Sequence, residues 1–240
     1  MGCDIHIIAE VKENGKWKVN IDKVFKNSYF DPKNDYEPFQ NEFSETPPGN
    51  RNYDWFSLLA NVRNGYGFAG VKTGEGFTPI AFPKGVPKDA TQEWKKNVEE
   101  WDCDMHSHSY LSLEEFKNFD WTQVTIKAGV ISLEQYKKLK DTAETPDSWS
   151  GGISGGNIVT VDSLTADKIL NGKIKKITKE SKYGRPEETR AVEDWNIYVD
   201  YRWPILYSDW FENNLKAVVP AMEKLKEKYE DVRLVFGFDN

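Results

Sequence analysis

The chain has 240 residues and a mass of 27.7 kDa, long enough to bury a substantial core without a disulfide or a structural metal. Its 32 basic and 39 acidic residues leave a net charge of -7. No basic tract stands apart beyond residues 173–176, which argues against duplex nucleic acid as a partner because that affinity comes mainly from phosphate neutralisation. The longest apolar runs, such as 5–9 and 234–236, are far too short to span a bilayer, so no membrane partner is expected.

Aromatic residues make up 14% of the chain while mean hydropathy is -0.69, so the core must lean on rings with polar edges. The opening Met1-Gly2-Cys3-Asp4 has no basic region before an apolar stretch, and His6 stands where a myristoylation signal needs Ser or Thr, so a cytoplasmic location is expected. Cys3 and Cys103 are expected as small buried thiols and not as a disulfide.

Residues 3–11 alternate, meet Asn14-Gly15 and alternate again over 16–19, which predicts a hairpin with a primed turn. The aperiodic 26–52 stretch is long for an inert connection and is expected to line a site or a partner surface. Apolar residues at helical spacing over 54–62 predict a short helix that stops at Gly65, and 65–88 turns repeatedly through glycine and proline. The pairs Asp89/Gln92, Ser112/Glu115 and Ser132/Gln135 match capping-box spacing and predict helices near 90–101, 113–119 and 132–141. A short strand is expected over 122–126, a flexible connection over 146–157, a small helix within 158–182 and a strand over 196–203. Asp209 with Glu212 predicts the cap of a longer helix that Pro220 kinks, and the closing 232–238 run reads as a central strand beside the opening one. The expected fold is α+β, a largely antiparallel sheet including the N- and C-terminal strands, with helices and long loop insertions, as one domain over 1–240 carrying an insertion at about 124–202.

All three histidines fall in two short clusters, Asp4-Ile5-His6 and His106-Ser107-His108. Residues two apart in an extended segment share a side, so each cluster can converge on one ligand. Asp4, His6, His106, His108 and Asp239 can supply the ligands of a metal-dependent hydrolase, with bound water as nucleophile; the competing reading makes His6 a hydrogen-bonded core residue. The glycine-rich 65–73 segment falls short of a P-loop and appears after a helix, which argues against nucleoside triphosphate hydrolysis, although its amides and Lys72 can still cradle a phosphate. Arg51, Tyr53, Arg63 and Lys84 place cations beside rings, a mixture suited to phosphates with a stacked base.

The opening MGCDIH, Arg51-Asn52-Tyr53, Leu58-Leu59-Ala60-Asn61-Val62-Arg63, Pro83-Lys84-Gly85-Val86-Pro87, the Asp104–Leu111 run through His106-Ser107-His108-Ser109-Tyr110, and the ending Val232–Asn240 together resemble a family of uncharacterised proteins common in phage genomes. Lys84 stands where an Arg is expected from that resemblance, and Gly237 where an aromatic residue is expected, a change that predicts a larger cavity at the terminal strand. The resemblance implies a phage setting and shared motif residues but no reaction. With the residue pattern it leads to an expected anti-defence protein that sequesters a nucleotide-derived signal through Asp4, His6, Arg51, Tyr53, Arg63, Lys84, His106, His108, Tyr110 and Asp239. No cofactor is expected in that reading, and a divalent metal belongs to the alternative, a hydrolase that cleaves the signal. A further alternative is a protein inhibitor of a host enzyme, and the abundant aromatics fit either a homo-oligomer or a monomer with an aromatic core.

Overall fold

The computed structural model describes residues 2–27, 29–34, 36, 40–179 and 187–239. Parts of the 26–52 and 158–182 stretches, and Asn240, lie outside the described residues. The fold is α+β, and the chain divides into two compact units: Met1–Asn64 with Phe77–Gln123 and Leu206–Asn240, and Gly65–Gly76 with Val124–Ile205.

In the first unit β1 (Ile5–Glu13) and β2 (Lys16–Val19) form the expected hairpin, with Asn14 and Gly15 both at positive φ (51° and 73°), as a primed two-residue turn requires. A two-residue ladder follows, β3 (Phe25–Lys26) with β4 (Phe43–Ser44). Helix α1 (Tyr53–Ala60) begins at Asn52, whose side chain caps Trp55, and ends at Asn61 in the left-handed region, so Asn61 and not Gly65 supplies the stop. Helix α2 (Gln92–Trp101) is capped by Thr91 instead of Asp89, because Asp89 is engaged by Arg233 and Trp17. Residues 105–112, read from sequence only as extended around the histidines, form a full strand, β5 (Met105–Ser112), which runs into α3 (Leu113–Asn118) through the expected Ser112/Glu115 capping box.

The second unit holds β6 (Val124–Ser132), α4 (Leu133–Leu139), β7 (Ile158–Val161), α5 (Ser163–Leu170), β8 (Lys176–Lys179), β9 (Glu188–Ala191) and β10 (Asn196–Leu206). Its sheet has the order β6-β10-β7, and β7 runs parallel to β10. Rings fill its core, with Trp203 fully buried between Tyr201 and Trp149. The 65–76 segment belongs to this unit and closes on itself through four amides: Gly67 N–H donates to Val71 O (2.8 Å), Gly70 to Gly67 (3.3 Å), Val71 to Phe68 (3.3 Å) and Thr73 to Gly65 (2.8 Å). Those four donors are engaged within the loop and do not face a ligand.

The chain returns to the first unit through α6 (Tyr207–Trp210), α7 (Glu212–Lys228) and β11 (Asp231–Asp239). Asp209 sits inside α6 and does not cap α7, which starts at Phe211 without a side-chain cap and continues through Pro220. The main sheet is antiparallel with the order β2-β1-β11-β5, so the first and last strands are neighbours and β11 is central, as its apolar run predicts.

Strand pairing assigns the two faces of this sheet, because cross-strand partners share a face. On one face Ile5, Ile7, Ala9 and Val11 stand with Val232, Leu234, Phe236, Phe238 and Leu111, all buried, and Phe56 of α1 meets Phe238 at 5.1 Å. The other face carries His6, Ile8 and Glu10 of β1 opposite Gly237, Val235 and Arg233 of β11, followed by His108, Tyr110 and Ser112 of β5. Helix α2 covers it: Trp94 packs with Met105 and Val235, Thr91 donates its N–H to Glu10, and Trp101 reaches His6. The apolar face thus builds the core, while the polar face holds a buried ion pair near the start of α2 and the histidine cluster at its end.

Candidate functional site

Asp239 organises the histidine end of the polar face. Its Oδ1 accepts the Asp4 backbone N–H at 2.8 Å, its Oδ2 lies 3.1 Å from His6 Nε2, and its own N–H donates to Asp4 O at 3.2 Å. A carboxylate only accepts, so this bond places the proton of neutral His6 on Nε2 and leaves Nδ1 as an acceptor. The ring of Trp101 lies 4.2 Å from that of His6. On the other side Arg51 grips Asp4 with two donors, Nε at 2.7 Å from Oδ1 and Nη2 on Oδ2, and this guanidinium holds the Asp4 carboxyl below the usual carboxylate range. Gly2 permits the approach: a β-carbon there would stand 2.7 Å from Arg51 Nη1. Exposure rises along the row from Asp239 and His6 (19% and 24%) to Asp4 and Arg51 (44% and 48%), so the row opens to solvent at the guanidinium.

Tyr53 and Arg63 join this cluster through the first residues of the chain. Tyr53 Oη accepts the Cys3 N–H at 3.3 Å, Arg63 Nη2 donates to Gly2 O at 3.3 Å, and the guanidinium lies 5.0 Å from the Tyr53 ring centre. Burial pushes the Cys3 thiol up despite Arg63 beside it, which makes a poor nucleophile. Cys103 is exposed, against the expectation of a buried thiol, and neither cysteine is in a disulfide.

His106 and His108 do not share a side. Their strand carries a bulge: His106 pairs with Phe238 and Ser109 with Phe236, so Ser107 and His108 together oppose Gly237, and Ser107 takes φ 51°. The extra residue sends His106 to the apolar face, 6.3 Å from Phe238, and His108 to the polar face. Gly237 opens no cavity there, because a β-carbon at 237 would stand 2.6 Å from Met105 Sδ and 3.1 Å from His108 Cδ2. Lys84 and Tyr110 form a separate station along β5, with Nζ 2.7 Å from Glu115 and 4.2 Å from the Tyr110 ring centre.

Burial, with His106 adding repulsion, holds the His108 imidazole below its ordinary 6.5, and its Nε2 is buried without a hydrogen-bond partner. The unfolded chain therefore binds this proton more readily than the folded one. The stability that neutral His108 contributes is complete above about 6.5 and is lost as pH falls through the lower folded value. The unfolding midpoint is expected to drop from pH 7 to pH 5, with a shallower drop in His108→Gln; equal slopes for the two proteins would refute the assignment.

Among the described residues no group of three or more His, Cys, Asp or Glu side chains is placed to hold a metal ion, and no helix is long and apolar enough to cross a membrane. The structure therefore joins Asp4, His6, Arg51 and Asp239 directly, sets Tyr53, Arg63 and His108 around them, and parts Lys84, Tyr110 and His106 from them. Sequence reasoning missed Trp101, although it stands seven residues after Trp94, the spacing of a shared helix face. Chemically the row offers an oriented imidazole, an aromatic face and a guanidinium held by one exchangeable carboxylate. No family model, curated protein or solved structure matches the chain.

Proposed function

We propose that this chain is a phage-encoded anti-defence protein that binds and sequesters a small nucleotide-derived signal, a cyclic nucleotide or an ADP-ribose derivative, in the cytoplasm of the infected host. The observation that carries the reading is the row from Trp101 through His6, Asp239 and Asp4 to Arg51. A base stacks on Trp101, a phosphate displaces the Asp4 carboxylate from Arg51, and His6 Nδ1 accepts a ligand hydroxyl. The phage setting comes from the family resemblance of the two chain ends.

Purified protein mixed with cyclic-nucleotide and ADP-ribose-derived signals is expected to lower free ligand, which heat denaturation then releases intact. Arg51→Ala is expected to weaken retention by about tenfold or more. A second reading is favoured by the His6–Asp239 pair, in which Nδ1 takes a proton from an attacking water and the signal is cleaved. Products in place of intact ligand would establish that reading, and their suppression by chelator would make it metal-dependent. No loss of any signal would overturn both and turn attention to a protein target.

A further inference from the structure

An asparagine followed by glycine is prone to lose its side-chain amide, because the next backbone nitrogen can attack the carboxamide and glycine puts no side chain in the way. The chain holds three such pairs, Asn14-Gly15, Asn64-Gly65 and Asn171-Gly172, and the fold treats them differently.

Asn64 is held from both ends of its carboxamide. Its Nδ2 donates to Asn61 Oδ1 and to Phe77 O, both at 2.7 Å, and its Oδ1 accepts the Phe77 N–H at 2.6 Å. Gly65 beside it is crowded, since a β-carbon there would stand 3.1 Å from Gly74 O. Gly172 has room around it, but Asn171 gives its Nδ2 to Asp167 O at 2.8 Å, and the Gly172 N–H donates to Ile169 O at 2.9 Å. Asn14 is exposed, and its carboxamide has no hydrogen-bond partner among the described residues. Nothing lies within 4 Å of where a β-carbon would stand on Gly15. The Gly15 N–H donates to the exposed Glu230 carboxylate at 3.1 Å, a side-chain partner that can swing away. A carboxamide that must first break one hydrogen bond is attacked about tenfold more slowly, so the fold protects Asn64 and Asn171 and leaves Asn14 open.

We propose that Asn14 is a self-modification site, where the folded protein converts this asparagine to aspartate and isoaspartate and thereby loosens its first hairpin. Gly15 N bonds to Asn14 Cγ and gives its proton to solvent, while the Cγ–Nδ2 bond breaks and the nitrogen leaves as ammonia. Water then opens the cyclic imide at either carbonyl, so the net change is water in and ammonia out, with no oxidant or reductant. Isoaspartate routes the main chain through the former side chain, which adds a backbone atom to a turn built on two residues at positive φ (51° and 73°). Both products also place a new carboxylate beside Glu13 and near Glu230. The disturbance reaches the core through β2. Trp17 pairs with Lys12 across the hairpin, lies 3.9 Å from the Arg233 guanidinium and donates its Nε1–H to Asp89 at 2.9 Å. The inference is independent of the sequestration reading, since none of these residues belongs to the histidine row.

The test incubates folded protein in mildly alkaline buffer, digests it and follows the three Asn-Gly peptides by mass spectrometry for amide-to-acid conversion and for isoaspartate. Asn14 is expected to convert about tenfold or more faster than Asn64 and Asn171, and the three rates are expected to converge in urea, where no fold protects any of them. The aged protein is expected to unfold at a lower urea concentration than fresh protein. Asn14→Gly suits the same turn and has no amide to lose, so it is expected to keep its midpoint through the same incubation. Equal conversion at all three sites in folded protein would route the reaction through the unfolded chain. A lead for Asn14 that persists in urea would place the cause in local sequence. An aged parent that keeps its midpoint, or an Asn14→Gly variant that loses it equally, would detach the hairpin from the conversion. Any of these results would overturn the proposal.

Discussion

Replacing Glu10 by alanine is expected to cost about 3–5 kcal/mol of stability, because it leaves a buried guanidinium without its counter-charge. Glu10 is fully buried, Arg233 is 6% exposed, and Arg233 Nε donates to Glu10 Oε2 at 2.7 Å. The guanidinium also reaches Asp89 at 2.8 Å and lies 3.9 Å from the Trp17 ring centre, while Glu10 Oε1 accepts the Thr91 N–H at 2.8 Å. One ion pair thus ties β1 and β11 to the hairpin and to the start of α2. Asp89 is exposed and does not replace Glu10, since most of its interaction is screened by water. Equilibrium denaturation in urea measures the loss, and a change below about 1 kcal/mol would show that Arg233 escapes to solvent when Glu10 is removed.

The double variant Glu10→Leu/Arg233→Met separates charge from packing. Removing both ions abolishes the desolvation cost of each, so the double variant is expected to recover most of the loss. It does not recover all of it, because the Thr91 N–H keeps no acceptor, a cost of about 1–3 kcal/mol for a buried donor. Strong non-additivity between the single and double variants is therefore the expected signature.

The alternation of β1 and the apolar run of β11 made the hairpin, the central strand and the pairing of the first and last strands legible, since period and burial are local signals. Ser112 and Ser132 were legible as helix starts for the same reason, because each cap is built from residues within one turn. Where two bonding options competed, local reasoning chose wrongly: Asp89 matches a cap but is drawn to Arg233, 144 residues away in sequence. The bulge at Ser107 is another such case. Nothing in His106-Ser107-His108 announces an extra residue, and the pairing with Phe236 and Phe238 decides which histidine enters the site. Asp4, His6, Arg51 and Asp239 were found as residue types suited to one ligand, but their bonding order depends on β1 lying beside β11. That adjacency sets Asp239 between the Asp4 N–H and the His6 ring.

Asp239→Ala is accordingly the variant expected to damage the site most. It removes the acceptor of the Asp4 N–H and of His6 Nε2 at one stroke, and loss of hydrogen bonds to a charged acceptor costs about 1.5–3 kcal/mol each, partly offset by water entering a site that is not fully closed. Ligand retention is expected to fall more than the loss of fold predicts, because the imidazole is no longer held in one orientation. Asp239→Asn divides the two effects. Its amide oxygen still accepts from Asp4 N–H, but its amide nitrogen now faces Nε2, which must accept, and the imidazole proton moves to Nδ1. The Asn variant is expected to unfold close to the parent while its imidazole nitrogen resonances exchange character and retention falls as in the Ala variant. If His6 keeps its proton on Nε2 in Asp239→Asn, or if that variant retains ligand like the parent, the carboxylate does not set the imidazole, and Arg51 with Trp101 must carry recognition without it.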